Sequence, residues 1–121
     1  MTTPNFRAGD LDSDHLEDWG PLALPLATSV GGVMATHGFS LFGTDDGSIS
    51  TGTWQCAPGE SRWDFTDNGE FIHVLSGSMT CREDGGTVTE VFAGTSAVFP
   101  QGWAGTWTIH ETLRKVYVFY R

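Results

Sequence analysis

The 121-residue sequence predicts an all-β domain, a sandwich or barrel of about nine short strands joined by tight turns. Three observations point there. Glycine occurs 16 times and phenylalanine 8 times, while only 17% of residues are charged, the balance of a turn-rich β domain. From His37 onward apolar and polar residues alternate with a period of two, which sends successive side chains to opposite faces of a strand. No stretch carries the long 3.6-residue apolar period of a helix, and no solenoid-type repeat is present.

The elements follow in order. Residues 1–35 read as an N-terminal arm and residues 36–121 as the β domain. Within the arm, "DLDSDHLEDW" predicts a short helical turn capped by Asp12 or Ser13. "WGPLALPLA" carries two prolines and reads as an extended apolar segment, lying across its own domain or across a partner subunit. "GFSLFGTDDGSISTGTWQC" is a hairpin turning at Asp46-Gly47. "APGE" turns the chain into the short strand "SRWDF", and "TDNG" turns it again. "EFIHVLSG" is one strand, and "SMTCREDGGTVTEVF" is a second hairpin with Asp84-Gly85-Gly86 at its tip. The rest gives three more strands, broken at Pro100-Gln101-Gly102 and near Glu111-Thr112.

Alternation assigns faces. Glu70, Ile72, Val74 and Ser76 share one side of their strand; Phe71, His73 and Leu75 share the other. Both sets are largely apolar, which predicts a central strand covered on both sides. Gly105, Trp107 and Ile109 form one set, opposite Thr106, Thr108 and His110. The last strand divides into Lys115, Tyr117, Phe119 and Arg114, Val116, Val118, Tyr120; both sets carry apolar residues, so the inward one stays open.

Six basic against fifteen acidic residues leave a net charge of −9. Such a surface repels phosphate backbones, which excludes nucleic acid as the expected partner. No apolar run is long enough for a membrane span, and the first residues lack a signal-type apolar core, so the expected location is the cytoplasm. Cys56 and Cys81 are then reduced, buried, small apolar residues. "DLDSDHLED" is a solvated acidic face, lacking the glycine and closing glutamate of a calcium loop. Arg114 and Glu111 read as an ion pair at a surface or interface.

Two half-motifs carry a family resemblance. Glu70 is followed after six residues by Gly77, and Gly94 after five residues by Pro100-Gln101-Gly102. In this order the chain resembles the cupin superfamily of RmlC-like jelly rolls. "DGSISTGTWQCAPG", "FPQGWAGTWTIHE" and "LRKVYV" look like the small single-domain cupins related to ureidoglycine aminohydrolase. That likeness spans residues 38–120 and rests on Trp54, Pro58, Gly59, Trp63, Glu70, Gly77, Pro100, Trp107, Glu111, Arg114, Lys115 and Tyr117. Ser76 departs from it, since an acid commonly precedes the glycine. The resemblance implies a single-domain double-stranded β-helix with an extended arm, and commonly a homodimer.

It also implies a metal site whose ligands are missing here. The usual His-x-His pair falls on Trp63-Asp64-Phe65 and the last histidine on Gly105, so of the usual ligands Glu70 alone is present. One carboxylate does not hold a transition metal. His15, His37, His73 and His110 do not repair the set: His73 lies on the face opposite Glu70, and His110 on the face opposite Trp107. The expectation is therefore a site without metal or other cofactor. Trp54, Trp63, Phe65, Ile72, Phe99 and Trp107 are the candidate walls of a narrow ligand pocket. Glu70, Lys115 and Tyr117 are its candidate catalytic groups. Surrounding rings raise the pKa of Glu70 by desolvation, whereas an adjacent lysine keeps it ionised. Three functions remain open: metal-free binding or conversion of a small polar metabolite, a metal-dependent enzyme of the aminohydrolase type, and a non-catalytic dimeric interaction module.

Overall fold

The computed structural model describes residues 3–7, 16–22 and 27–121. Among them are nine strands and no helix: β1 (Glu17–Pro21), β2 (Ala27–Val30), β3 (Ala35–Gly43), β4 (Ile49–Cys56), β5 (Gly59–Asp64), β6 (Gly69–Glu83), β7 (Val88–Phe92), β8 (Ser96–Phe99) and β9 (Ala104–Tyr120). All the pairings are antiparallel and join into one curled sheet that forms a half-barrel.

Two long strands organise it. β9 pairs with β6 along most of its length. Beyond β9 lie β4, then β3 and β1 at one end, and β5, then β2 at the other. Beyond β6 lie β8 and β7. The sheet thus has two halves, hinged on β6 and β9, that curl around one core. The hairpins expected at Asp46-Gly47 and Asp84-Gly85-Gly86 are present, joining β3 to β4 and β6 to β7. Asp46 Oδ1 accepts from the Ser48 amide at 2.9 Å, and Gly86 N–H donates to the Glu83 carbonyl at 2.8 Å.

The total of nine strands is reached differently from the sequence reading. "EFIHVLSG" and "SMTCRE" are one strand, β6, and the predicted break near Glu111-Thr112 lies inside β9. Both signals mark the two sides of one irregularity, where the β6–β9 register shifts between Val74 and Met79. Gly77 sits there at φ +89°, and a Cβ on it would stand 2.2 Å from the Thr112 carbonyl oxygen. A glycine is needed because the long strands bend from one half-sheet into the other in contact.

The arm lies on its own domain. β1 pairs with β3, β2 pairs with β5, and Leu22 N–H donates to the Met34 carbonyl at 2.8 Å. The helical cap at Asp12 or Ser13 falls outside the described residues, while Glu17–Trp19 at the end of the same stretch are strand. Trp19 lies against Gly38, where a Cβ would meet its ring at 2.2 Å.

Inside the curl are Glu70, Ile72 and Val74 of β6 and Gly105, Trp107, Ile109, Leu113, Lys115 and Tyr117 of β9, which settles the inward set of the last strand. The expected cover on both sides of β6 is not found. Phe71 is 38% exposed, and it stands in a cross-strand row with Val98, Val118, Thr51 and Phe42 on the outer face. The sheet is a single layer here, so centrality within it covers one face only. Arg114 does not pair with Glu111. Its guanidinium donates to Gln55 Oε1 at 2.7 and 3.1 Å, because the β4–β9 register puts Gln55 directly opposite.

Cys56 and Cys81 are buried free thiols, and burial pushes both up to about 12 against a slight opposing pull from Lys115. Both are therefore expected to resist a thiol-specific reagent in the native protein at about pH 8, where an ordinary exposed thiol reacts. Full labelling should appear only in denaturant; prompt native labelling would contradict the burial.

Candidate functional site

The site begins with a carboxylate and an ammonium that the alternation of β6 and β9 turns inward. Val74 faces Lys115 across the β6–β9 ladder, and Glu70 lies four residues, two same-face steps, back along β6. Lys115 Nζ reaches Glu70 Oε2 at 2.9 Å, and both residues are almost wholly buried. Three indoles box the ammonium: Trp54 at 4.3 Å from Nζ to ring centroid, Trp107 at 4.8 Å and Trp63 at 5.5 Å. Each desolvated cation–π contact of this kind contributes about 0.5–2 kcal/mol.

The second carboxylate oxygen, Glu70 Oε1, is buried with no hydrogen-bond partner. Burial raises the Glu70 carboxyl above its ordinary value, and the charge and hydrogen bond of Lys115 pull back without cancelling the rise. Of the two signs left open by the sequence, desolvation prevails. Tyr117 is held upward too, by burial first and then by the Glu70 charge, against the pull of its hydrogen bonds with Ser40 and Ser50.

Beside the pair is a cavity of ≈ 330 Å³. Glu70, Lys115 and Tyr117 lie on its wall, as do Trp54 and Trp63. Phe65, Ile72, Phe99 and Trp107, expected as walls, are not on it. They are core. Phe65 and Phe99 stack on each other at 5.7 Å and meet Trp103 edge-on, while Trp107 stacks on Trp63 at 3.9 Å. Ile72 is fully buried in the same packing. Period-two alternation says which side chains point inward, not how far along the barrel the free space lies.

The rest of the lining was not foreseen. Trp19, Pro21, Leu22 and Ala27 come from the arm, with Thr36 from β3 and Phe119 from β9. The Thr36 hydroxyl is already used, donating to the Gly20 carbonyl at 2.8 Å. The apolar run "PLALPLA" was the available signal for the arm, and the parity of Lys115, Tyr117 and Phe119 was the signal for Phe119. His37, His73 and His110 are not on the cavity wall: His73 Nδ1 bonds Ser96 Oγ and His110 Nε2 bonds Thr80 Oγ1, each at 2.8 Å.

These residues do not fit the metal of the wider fold family. No group of three or more His, Cys, Asp or Glu side chains able to hold a metal occurs among the described residues. The cation facing Glu70 is Lys115. At Gly105 there is no room for a histidine, since a Cβ would stand 2.2 Å from the Arg82 carbonyl oxygen and 2.6 Å from the Trp103 ring. Gly105→His is therefore expected to lose native structure rather than gain a metal site. Circular dichroism and thermal melting check it; a native-like melt with stoichiometric zinc would show the opposite.

A family model described as the EutQ-like cupin domain matches residues 43–117. Several solved structures share the fold. A protein of unknown function of the DUF861 family from Pseudomonas syringae pv. tomato is 19% identical, with a TM-score of 0.74 over 86% of this chain and 43% of its own. The Clostridium difficile EutQ protein is 20% identical, with a TM-score of 0.61 over 72% of this chain and 63% of its own. Ectoine synthase from P. lautus is 18% identical, with a TM-score of 0.63 over 70% of this chain and 63% of its own. This chain thus spans less than two thirds of each of these proteins. No curated protein matches it. No helix among the described residues is long and apolar enough to cross a membrane, which does not bear on membrane β-barrels.

Proposed function

Because the chain belongs to the EutQ-like cupin domain family, whose barrel here has an ion pair on its cavity wall, we propose that it binds a small metabolite. The ligand is apolar over most of its surface and carries one hydroxyl or amino group that donates to Glu70. The observation that carries this reading is the unpartnered Glu70 Oε1 beside a ≈ 330 Å³ cavity. A buried carboxylate oxygen without a donor costs free energy, and a ligand donor recovers it. The volume suits a compact molecule, at the low end of ligand pockets. The indoles of Trp19, Trp54 and Trp63 offer stacking surface.

Benzyl alcohol and benzylamine are suitable probes, read through tryptophan fluorescence. Glu70→Gln keeps an oxygen toward Lys115 but replaces the free acceptor with an NH2 donor. Probe affinity is expected to fall roughly tenfold to a hundredfold, the worth of a hydrogen bond to a charged acceptor. Equal affinity in the folded variant, or no binding to the unaltered protein at millimolar probe, would defeat the reading.

A further inference from the structure

Lys115 is the only lysine in the 121-residue sequence; every other cationic side chain apart from the histidines is an arginine. The chain places its one primary side-chain amine in the barrel interior, 2.9 Å from a carboxylate and on a cavity wall. As a purely structural device this is a poor choice, since well-packed apolar residues commonly match or exceed a buried ion pair in stability. An arginine would hold a carboxylate better, but a guanidinium does not deprotonate and is no nucleophile. Lysine alone among the side chains of this kind carries a primary amine, which in its neutral form attacks carbonyl carbon.

We propose that Lys115 captures a small aldehyde or ketone in the cavity as an imine, with Glu70 carrying the protons. The proposal rests on the reading of the cavity as a small-molecule site and names the class of molecule. The steps balance within the pair. Proton transfer along the Lys115–Glu70 hydrogen bond leaves a neutral amine beside a neutral carboxylic acid. The amine nitrogen attacks the carbonyl carbon. A carbon–nitrogen bond forms, the carbonyl π electrons move to oxygen, and Glu70 passes a proton to that oxygen while taking one from nitrogen. Glu70 then protonates the carbinolamine hydroxyl, which leaves as water as the carbon–nitrogen double bond forms. An ammonium, a carboxylate and a carbonyl compound become an iminium, a carboxylate and water, with no oxidant or reductant required.

The surroundings suit this product. The site holds one positive and one negative charge before and after, so the rings of Trp54, Trp63 and Trp107 that face the ammonium at 4.3–5.5 Å face an iminium nitrogen equally. The apolar wall of Trp19, Pro21, Leu22 and Ala27 accommodates a hydrocarbon body and disfavours the water that hydrolyses imines.

The experiment treats the full chain with benzaldehyde and sodium cyanoborohydride near neutral pH, followed by intact mass and peptide mapping. With one lysine, the amino terminus is the main competing amine, and the two map to different peptides. The expected result is a stoichiometric benzyl adduct on Lys115, formed faster in the native protein than in urea. In Glu70→Gln it should form on the order of a hundredfold more slowly, the usual scale of general acid–base assistance. An adduct confined to the amino terminus overturns the proposal, and an unchanged rate in Glu70→Gln removes Glu70 from it. Lys115→Arg should give no internal adduct; if that variant does not fold, the mapping of the unaltered protein still decides. Benzyl alcohol separates the two readings: binding of the alcohol without trapping of the aldehyde rejects the imine and keeps the cavity, whereas failure of both rejects both.

Discussion

Lys115→Met is expected to destabilise the protein by about 3–5 kcal/mol, the usual cost of removing one partner of a buried ion pair. Methionine fills much of the lysine volume, so the loss comes from Glu70 rather than from a void. Glu70 would keep a fully buried carboxyl with neither the ammonium nor any other donor. Its pKa, already raised with Lys115 in place, would rise further from the ordinary 4.5. A carboxyl that holds its proton more tightly folded than unfolded favours the folded state below the unfolded pKa and loses that contribution as pH rises through the folded one. The deficit should accordingly be smallest near pH 4.5 and should grow toward neutrality. Urea denaturation at a series of pH values measures it. The Glu70→Leu, Lys115→Met double variant should recover most of the loss, since an apolar pair leaves no orphaned charge. A single variant as stable as the unaltered protein at every pH would mean that the pair is not a buried ion pair.

Trp107→Ala should be comparably severe, at about 3–5 kcal/mol. Trp107 is wholly buried and connects two parts of the core: it stacks on Trp63 at 3.9 Å and meets Phe99 at 4.8 Å. Its indole N–H has no hydrogen-bond partner, so truncation also relieves a small cost, but the lost packing far outweighs that relief. It also supplies one of the three rings facing Lys115. Denaturant unfolding should show the loss, and near-ultraviolet circular dichroism should show collapse of the coupled tryptophan signal. A loss below about 1 kcal/mol would indicate that the core refills the space easily.

The sheet was legible because its signals are local. Alternation put Glu70, Ile72, Val74 and Ser76 on one face; the first three point inward and Ser76, within the bend, is exposed, while Asp-Gly turns placed both hairpins. What misled was local as well: Gly77 and Glu111-Thr112 look like chain breaks, and only the pairing of β6 with β9 shows them to be one bend. The arm was legible as an extended segment but not as strands, because β1 and β2 are strands by virtue of β3 and β5, and long-range pairing leaves little trace in a short segment. The same divide runs through the site. Parity put Lys115 and Tyr117 on one face of their strand without saying which face is inward; the structure turns that face in, and Glu70, Lys115 and Tyr117 line one cavity. Depth along the barrel is not encoded in parity, so Phe65, Ile72, Phe99 and Trp107 were assigned to a wall that Trp19, Pro21, Leu22 and Ala27 share with Trp54 and Trp63 instead.

The placement of β1 and β2 has a consequence for solution behaviour. Without them β3 and β5 would present unpaired backbone N–H and C=O groups, one outer margin on each half of the sheet. Bare margins of that kind recruit foreign strands and seed aggregates. A chain shortened from its amino-terminal end would therefore acquire two adhesive borders at once, and it would polymerise before it merely lost affinity for a ligand.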